Sequence, residues 1–177
     1  MNAPVPAATQ RTSSARWPLA LAVGLLLAVL LIGLLRFPAV PDPMPTHWNF
    51  RMEPDAWGAK SLVAFLAPLG VGVLTVGLFW TIPLLGRLQD AARPPADAAQ
   101  AERTLLTLRE PVGSVPQDAL IWFSHRLALL TAVLFALITL LAWFEVTGVL
   151  PAVLVSATVA ALLGVIVVGI IRLRRTQ

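Results

Sequence analysis

Residues Pro18–Leu35 have the sequence PLALAVGLLLAVLLIGLL and contain no charged or strongly polar side chain. A helix needs about 20 apolar residues to cross the hydrocarbon core of a bilayer, which is about 30 Å thick. Three further stretches meet or nearly meet that length, at residues 62–85, 120–144 and 149–171. Because lipid offers the backbone no hydrogen-bond partners, each stretch must be helical. The sequence therefore predicts an all-α integral membrane protein built as a bundle of four transmembrane helices.

The composition favours a surface that faces lipid. Hydrophobic residues make up 58% of the chain and charged residues 12%, whereas a soluble domain carries about 25% charged residues. The net charge of +4 comes from basic residues scattered at the ends of apolar runs. No nucleic-acid partner is expected, because nucleic-acid binding requires basic residues clustered on one face. The chain has no Cys, which excludes disulfides and thiolate metal sites. The expected partner is the lipid bilayer.

The distribution of Lys and Arg predicts the orientation in the membrane. If the N-terminus is cytoplasmic, ten basic residues lie inside and three lie outside, as the positive-inside rule requires. The first apolar run is longer than the core of a signal peptide, and no cleavage site follows it, so we expect it to be retained. Both termini are then cytoplasmic. The predicted division is a cytoplasmic tail at 1–16, a two-helix unit at 17–86 with an outer loop at 36–60, a cytoplasmic loop at 87–119, a second helix pair at 120–171 and a basic tail at 172–177.

Two patterns concern contacts made by the helices and the inner loop. An amphipathic stretch at 96–109 is typical of a linker helix on the membrane surface, and the alternative is a docking site for a cytoplasmic protein partner. Small residues also recur every four positions in two predicted helices, which lets helix backbones approach closely, although Ala and Gly are abundant throughout the chain. These rows are Ala20, Gly24 and Ala28, and Ser156, Ala160 and Gly164.

The predicted outer loop contains five prolines and two tryptophans. Four of the prolines fall within the eight residues 38–45, and Pro54 follows. They impose an extended path and remove backbone donors, so we expect little regular structure in this loop. Trp48 and Trp57 are too apolar to be left in water, and we expect them at the membrane interface or over the outer ends of the helices.

The same loop holds the densest set of polar side chains, His47, Asn49, Glu53 and Asp55. One interpretation is structural: His47 and Asn49 bond the loop backbone, and Asp55 caps a helix. The alternative is a metal site formed by His47, Glu53 and Asp55, since imidazole and carboxylates bind zinc. Metal-dependent hydrolysis would need three firm ligands and an open water position. The other histidine, His125, is predicted on the opposite side of the membrane.

Two runs of the loop, PTHWN at 45–49 and EPDAWGAK at 53–60, resemble the signature of a bacterial membrane family. This family is a domain of unknown function related to the Sdp toxin immunity proteins, with the motif set between two transmembrane helices. The resemblance implies a bacterial plasma-membrane location and, in some relatives, resistance to a secreted peptide toxin. Met52 stands where the family has Gly, which disfavours a turn with positive φ there. The matched positions, expected to bind a ligand or to structure the loop, are Pro45, His47, Trp48, Asn49, Pro54, Asp55, Trp57, Gly58 and Lys60.

These features predict a non-enzymatic multi-pass membrane protein that binds or senses a peptide or small ligand at its outer face. Peptide-toxin immunity or signalling would be specific forms of that function. No nucleophile elbow, phosphate-binding glycine loop, HExxH or GxGxxG motif is present, so no catalytic residue is assigned and no cofactor is expected. The alternatives are a membrane-embedded metal-dependent enzyme that uses the His47 cluster and an accessory subunit of a membrane complex.

Overall fold

The computed structural model describes residues 16–51, 53–91 and 117–175. Within these ranges the chain forms four long helices and one short hairpin. Each of the four helices is long and apolar enough to cross a membrane, so the prediction of four membrane-spanning helices is confirmed on length and composition. The helices are α1 (Trp17–Arg36), α2 (Leu62–Ala91), α3 (Gln117–Trp143) and α4 (Val149–Arg175).

The connection between α1 and α2 contains a two-stranded antiparallel sheet, which corrects the expectation that this loop has little regular structure. A single 3-10 turn at Phe37–Ala39 is followed by β1 (Met44–Trp48) and β2 (Pro54–Gly58). The prolines are compatible with this sheet because each strand of a two-stranded ribbon has one open edge, where a missing N–H is tolerated. The pairing is irregular, with register shifts on both sides of His47. Apart from this ribbon, the described fold is helical.

The hairpin and the α3–α4 connection lie at the same end of the bundle, which we call the hairpin end. The two are joined directly, because the backbone N–H of Gly148 donates to the carbonyl of Arg51 at 3.1 Å. The first residues of α1 and α3 lie at the opposite end, where Arg16, Arg87 and His125 line one cavity. The side of the membrane that each end faces stays a prediction.

The helix α3 lies at the centre of the bundle and packs against the other three helices. The helices α1 and α2 touch each other over a much smaller area, and α4 packs on α3 without a comparable contact to α1 or α2. Alanines 128, 132 and 136 of α3 are almost fully buried against the inner faces of α1 and α2. Small side chains at these positions allow both neighbours to approach closely.

One glycine on each outer helix meets an aromatic side chain of α3. A Cβ added at any of the three would overlap that side chain, so these positions require Gly. The pairs are Gly33 of α1 with Trp143, Gly72 of α2 with Phe135, and Gly169 of α4 with Phe123. The small-residue rows expected from the sequence are instead all exposed, at Ala20, Gly24, Ala28, Ser156, Ala160 and Gly164. Close approach within the described chain therefore occurs at the buried alanines of α3 and at these three glycines, and not at the small-residue rows of α1 and α4.

The C-terminus of α3 forms a Schellman motif. The N–H of Val146 donates to the carbonyl of Leu141 at 2.9 Å. The N–H of Glu145 donates to the carbonyl of Ala142 at 3.2 Å, which completes the pair of bonds that defines the motif. Glu145 occupies the left-handed position with a φ of 51°, where Gly is the usual residue. The motif turns the chain from α3 toward α4 at the hairpin end.

Candidate functional site

The turn of the hairpin is organised by Asn49. Its Oδ1 accepts the backbone N–H of Arg51 at 2.8 Å and that of Glu53 at 3.1 Å. Its backbone N–H donates to the carbonyl of Glu53 at 3.0 Å, and its Nδ2 donates to Glu53 Oε2 at 3.1 Å. A short polar side chain that accepts the N–H two residues ahead forms an Asx turn. Asn49 therefore bonds the loop backbone through both its side chain and its main chain.

His47 and Asp55 form a pair across the two strands, with 2.5 Å between His47 Nδ1 and Asp55 Oδ1. The side chains are 69% and 43% exposed, and an exposed pair of this kind contributes at most about 1 kcal/mol. The expected bond from His47 to the backbone is thus replaced by a bond to a side chain. The expectation that Asp55 caps a helix is wrong, because Asp55 lies inside β2. The cap of α2 is Ser61, whose Oγ accepts the N–H of Ala64 at 3.4 Å.

Lys60 joins the end of the loop to its beginning. Its Nζ donates to the carbonyl of Pro38 at 3.1 Å and to that of Val40 at 2.8 Å. Its backbone N–H donates to Asp42 Oδ1 at 3.1 Å. The ammonium also lies 5.1 Å from the ring centroid of Phe37, close enough for a cation–π interaction. A single side chain therefore holds the first turn of the loop beside the start of α2.

Beneath the hairpin lies a group of aromatic rings that we call the aromatic seat, formed by Phe37, Phe65 and Trp143. Phe65 stacks on Trp143 with 4.4 Å between ring centroids and 10° between ring planes. Phe37 packs against Phe65 at 5.4 Å and 52°. Met44 of β1 is buried in the same cluster, with 2% of its surface exposed. Trp48 is half buried and lines a cavity of about 30 Å³ together with Phe65 and Trp143.

The two tryptophans of the loop occupy different environments. Trp48 lies over the ends of the helices, and its Nε1 is buried without a hydrogen-bond partner among the described residues. Trp57 is 56% exposed on β2, so the expectation that it seats the loop on the helix ends is wrong. A position at the membrane interface stays the prediction for Trp57. Phe50, in the turn, is 82% exposed.

The remaining motif positions lie within the strands. Pro45 pairs with Trp57 across the sheet, and Pro54 pairs with Trp48. Gly58 lies close to the neighbouring strand, because a Cβ at this position would be 3.0 Å from Cγ2 of Thr46. A larger residue at 58 would therefore require the side chain of Thr46 to shift.

Hydrogen bonds also connect α1 and α2 to the last residue of α3. Nε of Arg36 donates to the carbonyl of Trp143 at 2.9 Å. Nε1 of Trp143 donates to the carbonyl of Phe65 at 3.0 Å. Arg36, Trp143 and Asp42 were missed as site residues in the sequence. For Arg36 and Trp143 the available signal was a basic or aromatic residue at the end of an apolar run, which also fits a simple membrane boundary. Asp42 offered no comparable signal.

The geometry gives no support to a metal site. In the part of the chain that the structure describes, no group of three or more His, Cys, Asp or Glu side chains is placed to hold a metal ion. Glu53 accepts a bond from Asn49 instead, and Asp55 is paired with His47. Met52 and the stretch at 96–109 lie outside the described residues. The turn at Met52, the linker helix at 96–109 and its alternative as a docking site therefore stay predictions.

A model of a domain of unknown function, DUF1648, matches residues 24–71 of the chain. The matched range covers more than half of α1, the whole hairpin and the first turns of α2. The match is consistent with a membrane family of unknown function. No curated protein and no solved structure matches the chain.

Proposed function

We propose that this chain is a non-enzymatic multi-pass membrane protein whose hairpin faces the outside of the cell and binds an extended peptide. The observation that carries this proposal is the open edge of β2. In the described part of the chain the sheet has two strands only, so no third strand covers that edge. An extended peptide can add to such an edge as a further strand, with its main chain bonded to the sheet.

Of the two open edges, that of β2 is the better template for a peptide. β2 has a proline only at its first position, Pro54, whereas Pro45 lies inside β1. A proline inside a strand removes one of the N–H groups that a peptide would need. The peptide is therefore assigned to the side of the hairpin formed by β2.

The hairpin is held in one shape before any ligand binds. Asn49 fixes the turn, and Lys60 fixes the ends of the loop. The N–H of Gly148 holds the carbonyl of Arg51 near the tip. A binding surface that is already ordered loses less conformational entropy on association, so more of the contact energy appears as affinity.

Exposed aromatic side chains supply the apolar anchors that peptide binding needs. Trp57 lies within β2 and Phe50 in the adjoining turn, and both are exposed by more than half. Aromatic residues of this kind contribute most of the energy at many protein interfaces. Resistance to a secreted peptide toxin, which the resemblance to the Sdp immunity proteins implies, is one form of this function, and a bacterial plasma-membrane location belongs to the same proposal.

The proposal is tested by selecting peptides from a random displayed library on the protein reconstituted in nanodiscs. We expect the enriched peptides to alternate apolar and polar residues, as strands do. They should bind the Trp57→Ser variant at least about tenfold more weakly, a loss of about 1.4 kcal/mol. Leu88→Ser is the matched control, because Leu88 is 58% exposed but lies near the opposite end, and its binding should equal that of the parent.

Two results would overturn the proposal. The first is a selection in which no peptide is enriched over empty nanodiscs. The second is a set of peptides that binds the parent and Trp57→Ser equally well. If Trp57 serves only as an anchor in the lipid headgroups, Trp57→Ser should lower stability in the bilayer while the selection yields no specific peptide.

A further inference from the structure

A long apolar groove separates α1 from α2. It has a volume of about 690 Å³ and is lined by apolar and aromatic side chains of these two helices. Along α1 the lining extends from Leu19 to Leu30, which is about 16 Å at the rise of an α-helix. This is about half of a hydrocarbon core that is about 30 Å thick. Along α2 the lining extends from Leu66 to Trp80, which is about 21 Å. The groove therefore covers about half to two thirds of the hydrocarbon core.

A second cavity of about 460 Å³ adjoins the groove at the opposite end of the bundle. The two cavities share the lining residues Leu19 and Trp80, and we call the two together the cleft. Arg16 and Arg87 line the second cavity together with His125, and no carboxylate does so among the described residues. The cleft thus combines an apolar interior with a cationic mouth.

Two glycines leave the groove open on the side of α2. A Cβ added at Gly70 or Gly77 would meet no atom within 4 Å, and both residues line the groove. Gly72 differs, because a Cβ there would lie 2.7 Å from Cβ of Phe135 on α3. Close packing explains Gly72, but it does not explain Gly70 or Gly77, each of which weakens helix formation by about 1 kcal/mol relative to Ala. A Cβ added at either position would enter the groove without touching another atom.

We propose that this cleft binds one anionic glycerophospholipid, with an acyl chain in the groove and its phosphate at Arg16 and Arg87. The charge of the mouth selects the class of lipid, because no described carboxylate in the lining offsets Arg16 and Arg87, so a headgroup with a net negative charge is favoured. The guanidinium groups can bind its phosphate through strong charge-assisted hydrogen bonds. A zwitterionic lipid with the same chains fits the groove equally well but carries no net charge to match the mouth. The position of Arg16 and Arg87 assigns the lipid to the leaflet at the end of the bundle away from the hairpin. This inference is independent of the peptide site at the hairpin.

The first test is lipid competition measured by native mass spectrometry. The detergent-purified protein is incubated with equal amounts of dioleoyl phosphatidylglycerol and dioleoyl phosphatidylcholine. The parent should retain one phosphatidylglycerol with a preference of at least about tenfold, which corresponds to about 1.4 kcal/mol. The Arg16→Gln/Arg87→Gln double variant should lose that preference. The control Arg16→Gln/Arg51→Gln removes the same charge, but Arg51 lies at the hairpin end, so part of the preference should remain.

The second test fills the groove. Gly70→Leu and Gly77→Leu should each abolish retention of both lipids, because the new side chain occupies the space of the acyl chain. Gly24→Leu is the matched control, since a Cβ at Gly24 also meets nothing within 4 Å and Gly24 does not line the groove. Leu favours helix more than Gly does, so the three variants should fold, and near-equal thermal unfolding would verify this.

Four outcomes would overturn the inference. Equal retention of the two lipids by the parent would show an ordinary lipid annulus. Undiminished preference in the Arg16→Gln/Arg87→Gln variant would remove the role of the mouth. Retention of phosphatidylglycerol by both groove variants would remove the role of the groove. Displacement of the lipid by an equal concentration of glycerol 3-phosphate would show a site for soluble phosphate compounds and not for a lipid.

Discussion

The Nε of Arg36, the last residue of α1, donates a hydrogen bond to the carbonyl of Trp143, the last residue of α3, at 2.9 Å. The final carbonyls of a helix have no partner within the helix itself. In α3 the carbonyl of Leu140 accepts the N–H of residue 144, that of Leu141 accepts the N–H of residue 146, and that of Ala142 accepts the N–H of residue 145. The carbonyl of Trp143 receives no backbone N–H in this turn, and Arg36 supplies its donor. Every carbonyl in the last turn of α3 is therefore bonded.

Replacing Arg36 by Met keeps most of the length of the side chain and removes this donor. We expect Arg36→Met to lower the free energy of unfolding by about 1–3 kcal/mol, the cost of an unsatisfied shielded carbonyl. Thermal unfolding of the protein in detergent measures the effect. Arg51→Met is the control, because the structure shows only the backbone of Arg51 in hydrogen bonds. Equal melting of Arg36→Met and the parent would contradict the role of Arg36.

The substitution Gly33→Ala tests the contact between α1 and α3. The added methyl group would overlap the ring of Trp143, so we expect a loss of about 1–3 kcal/mol in stability from overpacking. Gly24→Ala on the same helix meets no atom within 4 Å and should be neutral or stabilising by up to about 1 kcal/mol. The two variants are compared by thermal unfolding in the same detergent. A Gly33→Ala protein as stable as Gly24→Ala would show that Trp143 moves aside freely.

The left-handed residue at the end of α3 offers a stabilising change. Glu145 has a φ of 51°, and Glu145→Gly should raise the free energy of unfolding by up to about 1 kcal/mol because Gly adopts this conformation without strain. Glu145→Ala removes the same carboxylate but retains the strain, so it separates the two effects. If both variants gain stability equally in thermal unfolding, the carboxylate and not the backbone is the cause.

The exposed pair of His47 and Asp55 should contribute little to stability. We expect His47→Ala and Asp55→Ala each to lower the free energy of unfolding by less than about 1 kcal/mol, with a coupling that a double-mutant cycle measures. Metal content is determined on the same preparations. Stoichiometric zinc in the parent that both variants lack would favour the metal-site hypothesis over a role in loop structure.

The orientation of the hairpin can be tested with single cysteines, because the chain has no Cys. Thr46→Cys lies on β1, and Leu88→Cys lies near the opposite end of α2, and both positions are exposed. The excess of Lys and Arg at the opposite end predicts that a membrane-impermeant maleimide labels Thr46→Cys in intact cells. It should label Leu88→Cys only after the membrane is opened. The reverse pattern would place the hairpin in the cytoplasm and remove the basis for an extracytoplasmic peptide site.

The helices were predictable because the thickness of the bilayer sets the length of an apolar run. The sheet in the loop was not, since the effect of a proline depends on which edge of a strand it faces. That edge is set by the register between β1 and β2, with Pro45 opposite Trp57 and Pro54 opposite Trp48. The number of prolines along the chain predicts that N–H donors are missing. It does not show that a strand can tolerate a missing donor at its open edge, where no bond of the sheet is lost.

The residues of the site were found more readily than their partners. The motif includes Asn49 and Lys60, and the turn made by Asn49 is local enough to be expected from its residue type. Lys60, in contrast, bonds a carbonyl twenty positions away, and Arg36 bonds one 107 positions away. No periodicity or spacing in the sequence encodes such pairs. The bond of Arg36 arises only when α1 and α3 end at the same level, and that of Lys60 only when the loop returns to its own beginning.

The order of the helices along the chain determines when each of these contacts can form. A ribosome releases α1 and α2 before α3, and the first two helices touch each other little. Their faces at Val29 and Val76, which are buried in the finished bundle, lack their α3 partner until that helix arrives. Insertion of α3 then covers both faces at once and brings Trp143 beneath the hairpin. The helix pair that carries the loop motif therefore matures only after a later part of the same chain has entered the membrane.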